Sequence, residues 1–101
     1  MTDIHVQDSP DRSRFEILVD GELGGFADYR VRDGRTIITH SEIDRSRRGQ
    51  GLGGKLAEQT LNQLRDRGAR VVTVCPFFAE YVAGRHDWDA ILADEPAGGT
   101  S

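Results

Sequence analysis

The segment Arg47-Arg48-Gly49-Gln50-Gly51-Leu52-Gly53-Gly54-Lys55-Leu56 decides how the chain is read, because three ligand-binding patterns overlap on it. Gly49, Gly51 and Gly54 satisfy G-x-G-x-x-G, the dinucleotide fingerprint, and Gly49 to Lys55 satisfy most of the P-loop G-x-x-x-x-G-K. Arg48, Gly51 and Gly53 satisfy a third, [RQ]-x-x-G-x-[GA]. Arg45, Arg47, Arg48 and Lys55 surround these glycines, with Asp44 the nearby acid. A basic loop on a chain of net charge −4 points to a local anionic ligand.

The flanks discriminate. Upstream, Phe15 to Val19 reads as a strand, Asp20-Gly21 as a hairpin turn, Glu22 to Val31 as a second strand, Asp33-Gly34 as another turn, and Arg35 to Ile43 as a β-branched third strand. Gly24-Gly25 marks a bulge or a close backbone approach. Downstream, Leu52, Leu56, Ala57, Leu61 and Leu64 recur at helical spacing, and Gly68 is placed to end that helix. Val71 to Val74 is a continuous apolar strand, as expected beside a parallel neighbour, and Pro76 stops it. Residues 77–84 read as a short helix and 87–93 as another. Residues 1–13 read as a loose, flexible N-terminus, 14–93 as one domain, and 94–101 as a disordered tail.

The expected architecture is therefore α/β (α+β): an antiparallel meander, a β-α-β crossover and a short C-terminal helix. It sets the glycine loop at the carboxyl end of the third strand, where the first amides of a helix lack intrahelical partners and the dipole is positive. Such a helix start binds anions, and glycines let the ligand approach the backbone.

Two of the three patterns fail in this context. A P-loop needs a hydroxyl after its lysine to hold magnesium, and Leu56 stands there. A dinucleotide fold opens with its fingerprint and ends the next strand on an acid for the ribose. Here three strands come first, and the next strand ends at Cys75-Pro76.

The third pattern has its context. With "THSEI" at 39–43, "RRGQGLGGKL" at 47–56 and "VCPFFAEYV" at 74–82, the chain resembles the GNAT superfamily of acyl-CoA N-acyltransferases, in its small single-domain YjdJ-like branch. The resemblance covers roughly residues 14 to 92. It implies that the loop holds the pyrophosphate of acetyl-CoA through Arg48, Gly49, Gln50, Gly51, Leu52, Gly53 and Gly54. It also implies that the strand ending at Ile43 and the strand ending at Cys75 splay apart, with pantetheine between them. Most members have two helices before the meander that shape the acceptor pocket, and about a dozen residues stand there in this chain.

Acetyl transfer to an amine needs a neutral amine, a donor for the oxyanion and a proton for the leaving thiolate. His40, Glu42, Cys75 and Tyr81 are the candidates. His40 and Glu42 stand two apart on a strand and face one side, from which His40 could approach Cys75. Cys75 precedes a short helix whose start could favour a thiolate, or it is an inert small apolar side chain. Tyr81 lies one turn after Phe77; the resemblance implies proton donation to the CoA sulfur, and an aromatic cluster with Phe77, Phe78 and Trp88 is the structural alternative. His5 and His86 are surface residues.

The resemblance thus implies an N-acetyltransferase acting on a small molecule, a peptide or a protein lysine, by direct attack or through Cys75. A non-catalytic acyl-CoA sensor and an interaction domain with a structural loop are the rivals. At 101 residues, 37% apolar and 30% charged, one small globular domain is expected. A single cysteine and the absence of a signal-like N-terminus lead to an expected cytoplasmic location. No metal, nucleic acid or membrane partner is expected, and the state is monomer or weak homodimer.

Overall fold

Two Asp-Gly pairs set the sheet. At Asp20-Gly21 the φ angles are 51° and 85°, and at Asp33-Gly34 they are 52° and 75°. Paired left-handed residues make type I′ turns, whose twist matches the strands they join. They connect β2 (Arg14–Val19) to β3 (Glu22–Arg32) and β3 to β4 (Arg35–Ile43). The computed structural model describes residues 2–93. Within it β1 (Ile4–Ser9), β2, β3 and β4 run antiparallel in order, and β5 (Arg70–Thr73) joins β4 in parallel.

The N-terminus departs from the sequence expectation of a loose segment. Residues 4–9 form β1, paired from Ile4↔Val19 to Ser9↔Arg14. Distant side chains hold it there. Val6 is buried in the core, and Gln63 donates to its carbonyl at 2.7 Å. Asp8 accepts from the Tyr29 hydroxyl at 2.7 Å and pairs with Arg67 at 2.9 Å. None of these partners is local, so the short segment carries little signal of its own.

The amphipathic helix α1 (Leu52–Asp66) lays Leu52, Leu56, Ala57, Leu61 and Leu64 on one face of the sheet, against Val6, Phe15, Ile17, Val19 and Ile38. Each buried leucine contributes about 1.5–3 kcal/mol of transfer free energy. Gly68, at φ 72°, ends the helix: its N–H reaches Arg65 O at 3.0 Å and the Ala69 N–H reaches Leu64 O at 3.0 Å. That pair of bonds is a Schellman motif, and it turns the chain back into β5.

Helix α2 (Pro76–Val82) follows β5, with Pro76 in its first turn, where a missing N–H costs nothing. Beyond it a second departure occurs. Residues 87–93 are turns rather than a helix, and Leu92 bridges Val71 in parallel. Trp88, buried and donating to Asn62 at 3.0 Å, anchors the segment. Val71 N–H then donates to Ile91 O, and Ala93 N–H to Val71 O, both at 2.8 Å. Sheet-edge bonding, which periodicity does not report, thus outweighs helix formation. The tail at 94–101 lies outside the described residues.

Two bulges shape the end of the sheet where the glycine loop sits. In β3, Ile17 faces Gly25 and Leu18 faces Leu23, which leaves Gly24 unpaired. In β4, Asp28 faces His40 and Tyr29 faces Ile38, which leaves Thr39 unpaired. A bulge bends its strand and reverses the side-chain alternation beyond it.

Candidate active site

The site begins where β4 leaves β5. Their pairing runs from Arg35↔Arg70 to Ile38↔Thr73 and stops. The Ile38 carbonyl accepts from both Val74 N–H (3.0 Å) and Cys75 N–H (2.8 Å), so the partner strand turns off at that point. From Thr39 to Ile43, β4 keeps β3 on one side and, among the described residues, has no strand on the other. The open side faces a cleft of about 600 Å³ lined by His40, Ser41, Ile43, Arg48, Gly53 and Phe77.

The glycine loop forms the far end of that cleft. Gly51, at φ 75°, is the N-cap of α1 and has no side-chain hydrogen bond to offer. The first helical bond is Lys55 N–H to Gly51 O, at 3.3 Å. The amides of Leu52, Gly53 and Gly54 precede it, and helix geometry provides them no partner. A Cβ on Gly53 would stand 3.0 Å from the Phe77 ring, so glycine there lets Phe77 lie over the helix start. Ile43, Arg48, Gly49, Gly51, Gly53 and Gly54 line a hollow of about 270 Å³ at this point, together with Arg47, Leu52 and Phe77. Gln50 lines none of the three cavities described.

The four basic residues divide by role. Arg47 pairs with Glu22 at 2.7 Å and ties the loop to the β2–β3 hairpin. Arg45 and Arg48 make no ion pair among the described residues, and Arg48 lines all three cavities. Lys55 is exposed on the first turn of α1.

A second cleft, of about 340 Å³, lies on the other side of the β4 end, between Leu23 to Phe26 and Glu42 to Arg45. Glu42, Ile43 and Arg48 belong to both clefts. His40 Nε2 lies 2.9 Å from Glu42 Oε2, and both side chains are exposed. The His40 ring also meets Phe26, with centroids 6.3 Å apart.

His40 does not reach Cys75, contrary to the alternation read from sequence. Ser41 does: its Oγ lies 3.3 Å from the Cys75 Sγ. The bulge at Thr39 is the cause, because it moves Ser41 onto the side that Ile38 occupied and turns His40 and Glu42 away. The Cys75 side chain is 3% exposed and lines none of the three cavities.

Tyr81 stacks between Phe77 (6.5 Å) and Trp88 (5.6 Å), with the Arg85 guanidinium 4.1 Å over its ring. It too lines none of the three cavities. Burial, with the Glu58 and Asp87 carboxylates, pushes its phenol upward against the pull of Arg85. The aromatic-cluster alternative describes this placement.

Sequence reasoning missed Ser41 and Phe77 as lining residues, whereas Arg45 and Asp44 already stood in the charged loop. Phe77, 43% exposed beside a glycine helix start, is the one that carried a readable signal.

A family model described as GCN5-related N-acetyl-transferase matches residues 14–91. The chain belongs to this family. Among solved structures, the GCN5-related chain is similar to the crystal structure of nourseothricin acetyltransferase, at 20% identity and a TM-score of 0.43. That match covers 67% of this chain and 55% of the other, so the chain spans about half the length of its solved neighbour. No curated protein matches the sequence. Among the described residues no helix is long and apolar enough to cross a membrane, and no group of three or more His, Cys, Asp or Glu side chains gathers as a metal site.

Proposed function

We propose that the protein binds acetyl-CoA and transfers its acetyl group to an amine by direct attack. One observation carries the reading: the open side of β4 and the start of α1, with its unpartnered amides, line two cavities that share Ile43, Arg48, Gly53 and Phe77. The fit to the donor is chemical. Helix-start amides and a free guanidinium suit a pyrophosphate, glycine permits its close approach, and an extended strand lacking a neighbour offers backbone bonds to the amide-containing pantetheine arm. Ile43, Arg48 and Gly49 to Gly54 are the proposed binding residues.

Bound acetyl-CoA supplies the acetyl group as an activated thioester. The chain's own residues prepare the amine. With His40 Nε2–H donating to Glu42, His40 Nδ1 is free to accept the proton an incoming ammonium must lose. Glu42 fixes the orientation of the ring and its tautomer. The exposure of both side chains gives an acceptor direct access. Cys75, buried behind Ser41 and away from the clefts, is poorly placed for an acetyl-cysteine route, and this supports direct transfer. Tyr81 is proposed as a packing residue.

We also propose a monomer. Residues 91–93 take the outer edge of β5, and Gln63 caps the Val6 carbonyl on β1, so both ends of the sheet are partly covered against strand addition.

The test is thermal unfolding with acetyl-CoA and CoA, beside ATP and NADH. Ligand at 100 times its dissociation constant adds about 2.7 kcal/mol, and each kcal/mol raises the midpoint of a domain near 100 residues by roughly 4–8 °C. A rise with both CoA species alone is expected. No shift at saturating acetyl-CoA overturns the proposal. A shift without acetyl transfer to any amine identifies a CoA-binding module instead.

A further inference from the structure

We infer that the second cleft is the acceptor pocket and that its acceptor is a small amino acid, carrying an acidic group together with the amine to be acetylated. This inference rests on the transferase reading for the identity of the reaction and for the assignment of Arg48 to the donor. The cleft lies against β3, on the side of the β4 end away from Phe77 and Gly53, and it shares Glu42 with the first cleft. Two ligands, one in each cleft, would meet along Glu42, Ile43 and Arg48, of which Glu42 is the one carboxylate.

The charges on the cleft wall specify the ligand. Asp44 is already engaged: its Oδ1 accepts from Ser46 N–H at 3.2 Å and its Oδ2 lies 3.9 Å from Arg47. Glu42 uses one oxygen on His40, which leaves the other for an ammonium. Of the two cationic walls, Arg48 also borders the glycine loop, where the donor's phosphates are proposed to bind. Arg45 borders only this cleft among the three, is exposed, and makes no ion pair among the described residues. One available carboxylate and one available guanidinium complement a zwitterion. A plain amine leaves Arg45 unmatched, and a plain acid leaves Glu42 unmatched. Leu23, 45% exposed, and the half-buried Phe26 give an apolar wall for the stem between the charges. A volume of about 340 Å³ suits a single amino acid.

The experiment is a titration of the isotope-labelled full chain carrying Arg48→Ala, without acetyl-CoA, so that Arg45 is the cation left on the cleft wall, with aminohexanoate, hexylamine and hexanoate, which share one stem. Amide resonances of Gly24 and Gly25 report on the cleft. Aminohexanoate should bind there about fivefold more tightly than either single-charge probe, the gain of one exposed ion pair. Arg45→Ala should abolish its advantage over hexylamine, and Leu23→Arg should weaken both. Equal affinities, shifts that bypass Gly24 and Gly25, or a preference that survives Arg45→Ala each overturn the inference. The outcome is independent of acetyl-CoA. Cleft binding without CoA-dependent stabilisation sinks the transferase reading and leaves the pocket. CoA stabilisation without zwitterion preference sinks the pocket and leaves the transferase.

Discussion

Ser41 Oγ lies 3.3 Å from Cys75 Sγ, across the gap where β4 and β5 part. The contact exists because Thr39 is bulged out of the β3–β4 register. Without that extra residue, His40 would fall on the side of Ile38 and face the thiol. With it, Ser41 shields the sulfur while His40 and Glu42 stand exposed on the cleft wall.

On the proposed direct route Cys75 is dispensable for chemistry. Cys75→Ala should keep kcat within about tenfold of the parent, since no bond to sulfur forms on the direct route. Steady-state acetylation, with intact-mass detection of any acetylated protein, checks it. Complete loss of turnover in a folded variant would reinstate the covalent route.

His40→Gln should lower kcat by roughly 10²-fold or more, the usual contribution of a positioned base. Its stabilisation by acetyl-CoA should be unchanged. Parallel rate and melting measurements separate this from a loss of binding.

Arg48→Ala should weaken acetyl-CoA about 10- to 100-fold, in line with the loss of a charge-assisted hydrogen bond to phosphate. Isothermal titration reads the change. Arg47→Ala should act on stability as well as on binding, because Arg47 lines the loop hollow and also pairs with Glu22. Its effect on folding stability should lie within the range of about 0–1 kcal/mol for an exposed pair.

Gly25→Ala should destabilise the whole domain. The added Cβ would stand 2.5 Å from the Glu42 carbonyl and 3.1 Å from Ile43 Cα, both backbone atoms with little freedom to yield. Overpacking of this kind costs about 1–3 kcal/mol or more, or roughly 4–8 °C in midpoint per kcal/mol. Urea unfolding measures it, and an unchanged midpoint would mean that β3 and β4 can separate here at no cost.

Stability should fall at high pH through Tyr29. Burial and its hydrogen bond to Asp8 push the phenol up to about 12 from an ordinary 10.0. A raised folded-state value means that the neutral phenol is favoured by folding. Its contribution is intact below pH 10.0 and is lost as pH rises toward about 12. Near-ultraviolet absorbance should show late ionisation of Tyr29, and Tyr29→Phe should flatten this arm of the stability curve.

Much of the molecule is legible in the chain. The two Asp-Gly turns, the leucine spacing of α1 and the glycine that ends it follow from local dihedral preferences and helix periodicity, which a few consecutive residues encode. The overlap of Arg48, Gly51 and Gly53 at the helix start is likewise local, so the proposed anion-binding end of the site is written in ten consecutive residues. What tertiary structure alone decided was the strand β1, the bridge at Leu92 and the side on which His40 points. Each depends on partners far along the chain: Gln63, Tyr29 and Arg67 for β1, Val71 for Leu92, and Asp28 and Tyr29 opposite the bulged Thr39 for His40. A strand's alternation is known from sequence only until its partner forces one residue out of register, and that single residue exchanged Ser41 for His40 at the thiol.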